Sequence, residues 1–236
     1  MKILIPTTEF PPYPGGIASL AYEQAAGLAQ LGHQVRVETL ARQTDPQTPH
    51  VQMERTEVVY HKVIAGPIWR LAPLTTNLLR ALRSFDPDFI HCPTYRGYGL
   101  PLLVTTSLKG IPYSIYLHGT ELNTEQRSRL RRSIMAAVLK GASQIFTNSE
   151  NTLKLLCQLY PAVSSKCMAL QPGVHARLFR RTETDSRARS LRSEWLADSD
   201  PQSIVLLSVC RMHRSKGIHL VLQALQRLQH HRPGLP

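Results

Sequence analysis

Two adjacent glycines near the start of the chain are of a residue type and in a position suited to ligand binding. Gly15 and Gly16 follow the apolar run Lys2–Ile5 and a stretch with three prolines, and helical spacing begins at Ile17. A turn after a parallel strand lies at the carboxyl edge of its sheet, where open α/β sheets bind ligands. Residues without Cβ let the backbone approach a ligand, and the free N–H groups of a following helix favour anions. The glycines can equally serve only to turn the chain, because a short glycine motif is a weak signal.

A second polar turn follows another predicted strand. His118 and Glu121 come directly after the apolar run Tyr113–Leu117, so we expect them at the same edge as the glycines. Taken alone, His118 is also compatible with a half-buried histidine whose hydrogen bonds are satisfied. Glu9, in the loop before the glycines, can contact a ligand hydroxyl, cap a helix or lie on the surface. His91, at the end of a third predicted strand, is interpreted as structural.

Strand and helix patterns alternate through residues 1–173. Apolar positions spaced by three and four predict a helix from Ile17 to Leu31, which Gly32 ends. The predicted strands are Lys2–Ile5, Val35–Leu40, Val58–Val63, Phe89–His91, Tyr113–Leu117, Gln144–Thr147 and Met168–Leu170. The further predicted helices are Pro73–Leu82, Thr124–Lys140 and Glu150–Leu159. This alternation predicts an α/β fold with a Rossmann-like parallel sheet and helices on both faces.

The composition changes after residues 1–173, which form the predicted N-terminal domain. Residues 174–202 are rich in Arg, Ser, Asp and Thr and are predicted to connect two domains. Residues 203–236 are expected to begin a second α/β domain, with a strand at Ile204–Val209 buried on both faces and a helix at Ile218–Leu228. Because one strand and one helix cannot bury their own apolar faces, this second domain is expected to be truncated.

Charge and composition restrict the partners of the chain. Its 236 residues carry a formal net charge of +12, and 42% of them are hydrophobic. This charge favours anionic partners such as phosphorylated ligands or an anionic membrane surface. Aromatic residues make up only 6% and no nucleic-acid motif is present, so nucleic acid is not an expected partner. No apolar run is long enough to span a membrane and no signal peptide begins the chain, so we expect a cytoplasmic location.

Arginines and cysteines are distributed differently along the chain. One group of arginines is Arg127, Arg129, Arg131 and Arg132, and another is Arg177, Arg180, Arg181, Arg187, Arg189 and Arg192. Either group can be a solvated helix face, and the first can also contact anionic headgroups at a membrane. The cysteines have no C-x-x-C spacing, so neither disulfides nor a zinc site is expected: Cys92, Cys157, Cys167 and Cys210.

Five blocks of sequence, in order, carry a resemblance to a known family. They are Lys2–Ile5 with Glu9–Pro12, Gly15-Gly16 and Leu31–Val35; Asp88–His91; His118–Glu121; Thr147–Ser149 with Pro172–Val174; and Ser208–Arg211 with Lys216-Gly217. Each block alone is weak, whereas the ordered series covers nearly the whole chain. Together they resemble the retaining glycosyltransferases of family 4, whose GT-B fold consists of two Rossmann-like domains facing a cleft.

The resemblance implies an enzyme that transfers a sugar, with retention, from a nucleotide-sugar donor to a glycan or lipid-linked acceptor. It makes His118 the catalytic residue that faces the donor sugar. It assigns the acceptor part of the cleft to Gly15, Glu9 and Glu121. It assigns the donor diphosphate to Gly16, Arg211 and Lys216. Because fixed cations stabilise the negative charge that grows on a leaving diphosphate, no metal or other cofactor is expected. Taken alone, Arg211 and Lys216 can also form an exposed basic loop.

The sequence departs from the family pattern at three points. Cys210 stands where the family usually has glycine, and Glu121 stands where aspartate is common. The chain ends before the family's glutamate pair and nucleobase pocket. We therefore expect weak or no activity from this chain alone, with a complementary chain as a partner and a peripheral position at the inner membrane face. The alternative is a non-catalytic module that binds an acceptor or a partner protein.

Overall fold

The computed structural model describes residues 1–41, 53–62, 71–173, 184–196, 204–210 and 212–231. The chain consists of two compact units, Met1–Gly173 and Val174–Pro236. All strands of the described part of the chain lie in the first unit.

The first unit alternates strands and helices. It begins with β1 (Lys2–Pro6), α1 (Gly16–Gln30), β2 (Gln34–Ala41), β3 (Thr56–Lys62), α2 (Leu71–Phe85) and β4 (Phe89–Cys92). It continues with α3 (Gly99–Lys109), β5 (Tyr113–Leu117), α4 (Thr120–Glu125), α5 (Arg129–Gly141), β6 (Gln144–Thr147), α6 (Glu150–Leu159), a 3-10 helix (Pro161–Lys166) and β7 (Cys167–Ala169). The predicted α/β class is confirmed.

The seven strands form one parallel sheet in the order β3-β2-β1-β4-β5-β6-β7. From β1 the chain proceeds outward to β2 and β3, then returns to β4 on the other side of β1 and continues to β7. The direction of winding therefore reverses between β1 and β4. Doubly wound sheets have their ligand crevice outside the carboxyl ends of the strands at such a reversal.

The two faces of the sheet bury different clusters of side chains. Ile3 and Ile5 of β1 pack with buried alanines of α1 and with Val35 and Val37 of β2. Leu4, whose side chain points to the opposite face because strand residues alternate, belongs to a larger cluster with residues of α2, α3, α5 and α6. The larger cluster also contains Ile90 and Cys92 of β4, so it packs β1 and β4 against the same helices.

Most predicted elements are confirmed, but one helix was not predicted and two others were predicted as a single helix. No helix was predicted at Gly99–Lys109, yet α3 forms there, and Pro101 is tolerated because it lies in the first turn. The single helix predicted at Thr124–Lys140 is divided into α4 and α5, since Ser128 has the extended dihedrals φ −140° and ψ 134°. The N-cap of α6 is Ser149, whose Oγ accepts a hydrogen bond from Thr152 N at 3.2 Å.

The second unit contains α7 (Thr184–Trp195), a 3-10 turn (Arg214–Lys216) and α8 (Ile218–His231). The prediction of a buried strand at Ile204–Val209 is wrong. Residues 204–210 form no strand and are exposed, and Val209 is 88% exposed. A strand needs a hydrogen-bonded neighbour, and the described residues of this unit provide none.

Candidate active site

The loops after β1 and β4 meet at the carboxyl edge of the sheet. The two strands are direct neighbours, with Ile3 opposite Phe89. A Cβ atom on Gly97, in the loop after β4, would lie only 2.6 Å from Cγ2 of Thr8 in the loop after β1. Gly97 also has a φ of +86°, which L side chains rarely adopt. Glycine at 97 therefore allows the two loops to close one end of the crevice.

The paired glycines lie at the same edge, where α1 begins. Gly15 is extended with φ 164°, and Gly16 is the first residue of the helix, so neither has a conformation that requires glycine. A Cβ atom on Gly16 would meet nothing within 4 Å. No side chain caps the N-terminus of α1. The structure thus gives no internal reason for glycine at 16 and leaves open space beside the first turn of α1.

Glu9 lies next to Gly15. Its Oε2 atom is 3.5 Å from the position that a Cβ on Gly15 would occupy. The buried hydroxyl of Thr7 fixes the Glu9 backbone, because Oγ1 donates to Glu9 O at 2.9 Å and accepts from Glu9 N at 3.3 Å. Since no side chain caps α1, the helix-capping interpretation of Glu9 is not supported. Contact with an acceptor hydroxyl stays a prediction.

His118 is held between neighbouring loops. Its Nε2 atom is 2.9 Å from the carbonyl oxygen of Pro93, in the loop after β4, and its ring lies 5.1 Å from the ring of Tyr116. A carbonyl oxygen can only accept, so Nε2 carries the hydrogen. In the neutral ring Nδ1 is then the acceptor, and it has no hydrogen-bond partner among the described residues. In this tautomer His118 can accept a further hydrogen bond at Nδ1.

A buried polar network lies under the turn that carries His118. Oε1 of Glu121 accepts a hydrogen bond from His118 N at 2.6 Å, and Glu121 is only 2% exposed. The side chain of Asn148 donates to His118 O at 3.2 Å, and Thr152 Oγ1 donates to Asn148 Oδ1 at 2.8 Å. Glu121 thus supports the backbone of His118 from below. Its predicted contact with an acceptor would need an exposure that the described structure does not give it.

His91 lies in the interior, as its structural interpretation predicts. Gln24 Oε1, an acceptor, is 3.1 Å from Nε2, and Ser114 Oγ is 2.8 Å from Nδ1. These partners fit the neutral ring, with Nε2–H donating and Nδ1 accepting from the hydroxyl. Burial lowers the pKa of His91 to about 4, which keeps it uncharged at neutral pH.

An apolar groove of about 520 Å³ lies beside His91, away from the candidate site. Leu28 of α1 and Phe89, Phe146 and Leu170 of the sheet are among its lining residues. None of the predicted site residues lines it. We therefore place the candidate site at the carboxyl edge, where polar groups converge, rather than in this apolar groove.

Of the two cations predicted in the second unit, only Lys216 is among the described residues. Arg211 lies outside the described residues. Lys216 is exposed and ends the 3-10 turn Arg214–Lys216, where its backbone N–H donates to His213 O at 2.9 Å. The assignment of both residues to a donor diphosphate stays a prediction.

Two features are absent from the described residues. These residues contain no group of three or more His, Cys, Asp or Glu side chains arranged to hold a metal ion. No helix in the described ranges is both long enough and apolar enough to cross a bilayer.

Sequence reasoning missed several residues that shape the site. Gly97 was detectable in principle, because a glycine shortly after a strand often marks a close backbone approach. Thr7 and Pro93 carried no comparable signal, since their contacts depend on side-chain and carbonyl orientation. Thr152 carried no comparable signal either, because its hydrogen bond to Asn148 depends on the orientation of both side chains.

This doubly wound parallel sheet, whose winding reverses between β1 and β4, defines a Rossmann-like α/β domain. The Glycosyltransferase Family 4 profile matches residues 14–178. Since this covers most of the chain, the chain belongs to Glycosyltransferase Family 4, as its sequence blocks indicate.

Related proteins share this sequence and fold over part of their length. A D-inositol 3-phosphate glycosyltransferase of Catenulispora acidiphila is 26% identical over an alignment of 234 positions, and the match covers 92% of this chain and 53% of the relative. The crystal structure of Anabaena HepE in complex with UDP and glucose has a TM-score of 0.72 at 19% identity, covering 96% of this chain and 58% of HepE. A glycosyltransferase from Rickettsia africae has the same TM-score at 16% identity, covering 97% and 58%. The chain spans about half the length of the curated relative it matches.

Proposed function

We propose that this chain is the acceptor-side part of a retaining, nucleotide-sugar-dependent glycosyltransferase. The observation that carries the proposal is that Gly16, which is exposed at the start of α1, and His118, which is firmly oriented in the turn after β5, lie at the same edge of the sheet. Family membership supports sugar transfer. The HepE complex supports a uridine nucleotide sugar as donor, and the curated relative's name supports a phosphorylated polyol as one acceptor to test. Glycan and lipid-linked acceptors belong to the same proposal, as does a cytoplasmic location.

The chemistry assigns a task to each residue. Nδ1 of His118 accepts a hydrogen bond from a hydroxyl of the donor sugar, and the N–H groups beside Gly16 bind a phosphate oxygen. Arg211 and Lys216 stabilise the leaving diphosphate. The anomeric carbon–oxygen bond to phosphate breaks while the acceptor oxygen bonds to the same face of that carbon. The acceptor's proton passes to the leaving phosphate oxygen, so no metal is needed in this scheme.

Paired glycine variants of α1 test ligand binding at the crevice. Gly16→Leu places a side chain in the open space beside the first turn, and we expect it to weaken binding of D-inositol 3-phosphate and UDP-glucose by at least about 10-fold, by blocking the helix N-terminus. Gly27→Leu is the matched control, because a Cβ there also meets nothing within 4 Å but lies on the apolar groove. Calorimetric titration measures both. Equal binding by the two variants would contradict the placement of the site.

A transfer assay tests the reaction itself. With UDP-glucose and D-inositol 3-phosphate, we expect slow turnover that His118→Ala lowers by about 100-fold or more, since one oriented contact to a reacting group is worth about that factor. Addition of a complementary chain that contains the remaining donor site should increase the rate. Acceptor binding without any sugar transfer, with or without such a chain, would instead support the non-catalytic module.

A further inference from the structure

Four arginines surround the start of α5. Arg127, Arg129, Arg131 and Arg132 are all exposed, and none of them forms a salt bridge with a described residue. We call residues 127–132 the arginine patch. Its charge is therefore not used to hold the structure of the first unit together.

The position of these charges does not stabilise α5. The N-terminus of a helix carries a partial positive charge, so arginines in the first turn are unfavourable there. The first turn of α5 contains no acidic residue, and no side chain caps it. Helix formation therefore gives no account of the arginine patch.

An apolar residue lies within the same patch. Leu130 is 70% exposed between Arg129 and Arg131. A site for a small soluble anion needs converging donors and gains nothing from an exposed leucine. Cations that flank an exposed apolar side chain are typical of surfaces that lie in the interfacial region of a bilayer.

The arginine patch lies on the rim of the candidate site. Its helix follows α4, which begins directly after the His118 turn. Burial raises the pKa of the Tyr95 hydroxyl, in the loop after β4. The charges of Glu125 and Tyr160 raise this pKa further, whereas that of Arg131 lowers it. Arg131 is thus close to the loop that also holds His118. Glu125 is the acidic residue that faces this region, so the patch keeps a strong positive charge.

We propose that the arginine patch binds anionic phospholipid headgroups at a membrane surface, with Leu130 inserted at the boundary between the headgroups and the acyl chains. This contact holds the carboxyl edge of the sheet against the bilayer. The contact would also present the crevice to an acceptor anchored in the lipid; this part of the inference rests on the proposed function. Binding to lipid does not require sugar transfer, so the two proposals can fail independently.

Vesicle flotation with charge-matched variants tests the contact. We expect the full chain to float with phosphatidylcholine vesicles that contain phosphatidylglycerol, but not with phosphatidylcholine alone. Arg129→Gln/Arg131→Gln/Arg132→Gln should lower the partition coefficient on the order of 100-fold, from the contribution of each arginine near an anionic surface. The control with the same change in net charge is Arg187→Gln/Arg189→Gln/Arg192→Gln on α7, which should bind nearly as wild type.

Two further measurements separate the alternatives. Leu130→Ser should lower partitioning by about 10-fold at unchanged charge, since a leucine is no longer buried. The α5 variant should unfold at the same or higher urea concentration than wild type, because it loses cations from a helix N-terminus. The proposal is overturned if wild type does not float, or if both triple variants lose binding equally. It is also overturned if millimolar inorganic phosphate displaces the protein from the vesicles while sodium chloride of equal ionic strength does not.

Discussion

The hydrogen bonds of His118 define what its side chain can recognise. Because Nε2–H donates to the Pro93 carbonyl, the neutral ring offers an acceptor at Nδ1. Its backbone is held just as firmly, by Glu121 on the N–H and by Asn148 on the carbonyl. The geometry of this residue thus depends on side chains that do not themselves face the crevice.

The support from Glu121 can be measured as stability. Glu121→Ala leaves the N–H of His118 without its acceptor in a buried position, which we expect to lower the free energy of unfolding by about 1–3 kcal/mol. Urea denaturation measures the change, and exposed Glu54→Ala is the control. A midpoint for Glu121→Ala equal to that of the control would show that the buried carboxylate does not support the turn.

His91 should make stability depend on pH. Its pKa is lowered by burial from an ordinary 6.5 to about 4, so the unfolded chain binds a proton more readily than the folded one. The contribution is fully present above pH 6.5 and is lost as pH falls toward 4, by up to about 3 kcal/mol. His91→Gln should flatten this part of the curve measured by urea denaturation.

A second buried group acts in the opposite direction. Burial raises the pKa of Glu38, against the hydrogen bond from His61 and the charge of Arg36, so its effect favours the folded state as pH falls. Comparing wild type with His91→Gln at each pH removes the contribution of Glu38. Parallel curves for the two proteins would contradict the role given to His91.

At the scale of elements, the contact between the loops after β1 and β4 depends on Gly97. Gly97→Ala introduces both a left-handed alanine and an overlap with Thr8, and we expect it to cost about 1–3 kcal/mol. Gly110→Ala is the control, because its φ is +68° but a Cβ there meets nothing within 4 Å. Thr8→Ser should recover part of the loss at Gly97 by removing Cγ2. Equal losses for the two alanine variants, measured by urea denaturation, would show that the loops are not in close contact.

The elements beside the crevice were predictable, whereas its detailed contacts were not. Tyr113–Leu117 and Glu150–Leu159 show clear apolar patterns and a cap, so their bounds were found from sequence. The helix α3 was missed because Gly99 and Pro101 disguise its first turn. The strand expected at Ile204–Val209 has the right residue types but no neighbour to pair with. Pattern identifies a segment that can form a strand, while pairing decides whether it does.

The whole molecule consists of units with different internal packing. The core clusters of the sheet contain only residues from Met1–Gly173, whereas α8 has no buried side chain. A chain ended after Gly173 keeps all seven strands, and we expect it to unfold in one cooperative urea transition. A broad, non-cooperative transition would show that the sheet requires the remaining residues.

We expect ligands to bind at the carboxyl edge of the sheet, and the amide signals of glycines test this most directly. Gly15, Gly16, Gly97 and Gly119 lie at that edge, whereas Gly32, Gly110 and Gly141 follow or end helices at the opposite edge. In a glycine-selective ¹⁵N spectrum of the full chain, D-inositol 3-phosphate and UDP-glucose should shift the first group and leave the second unchanged. Shifts confined to Gly32, Gly110 and Gly141, or no shifts at saturating ligand, would contradict the account.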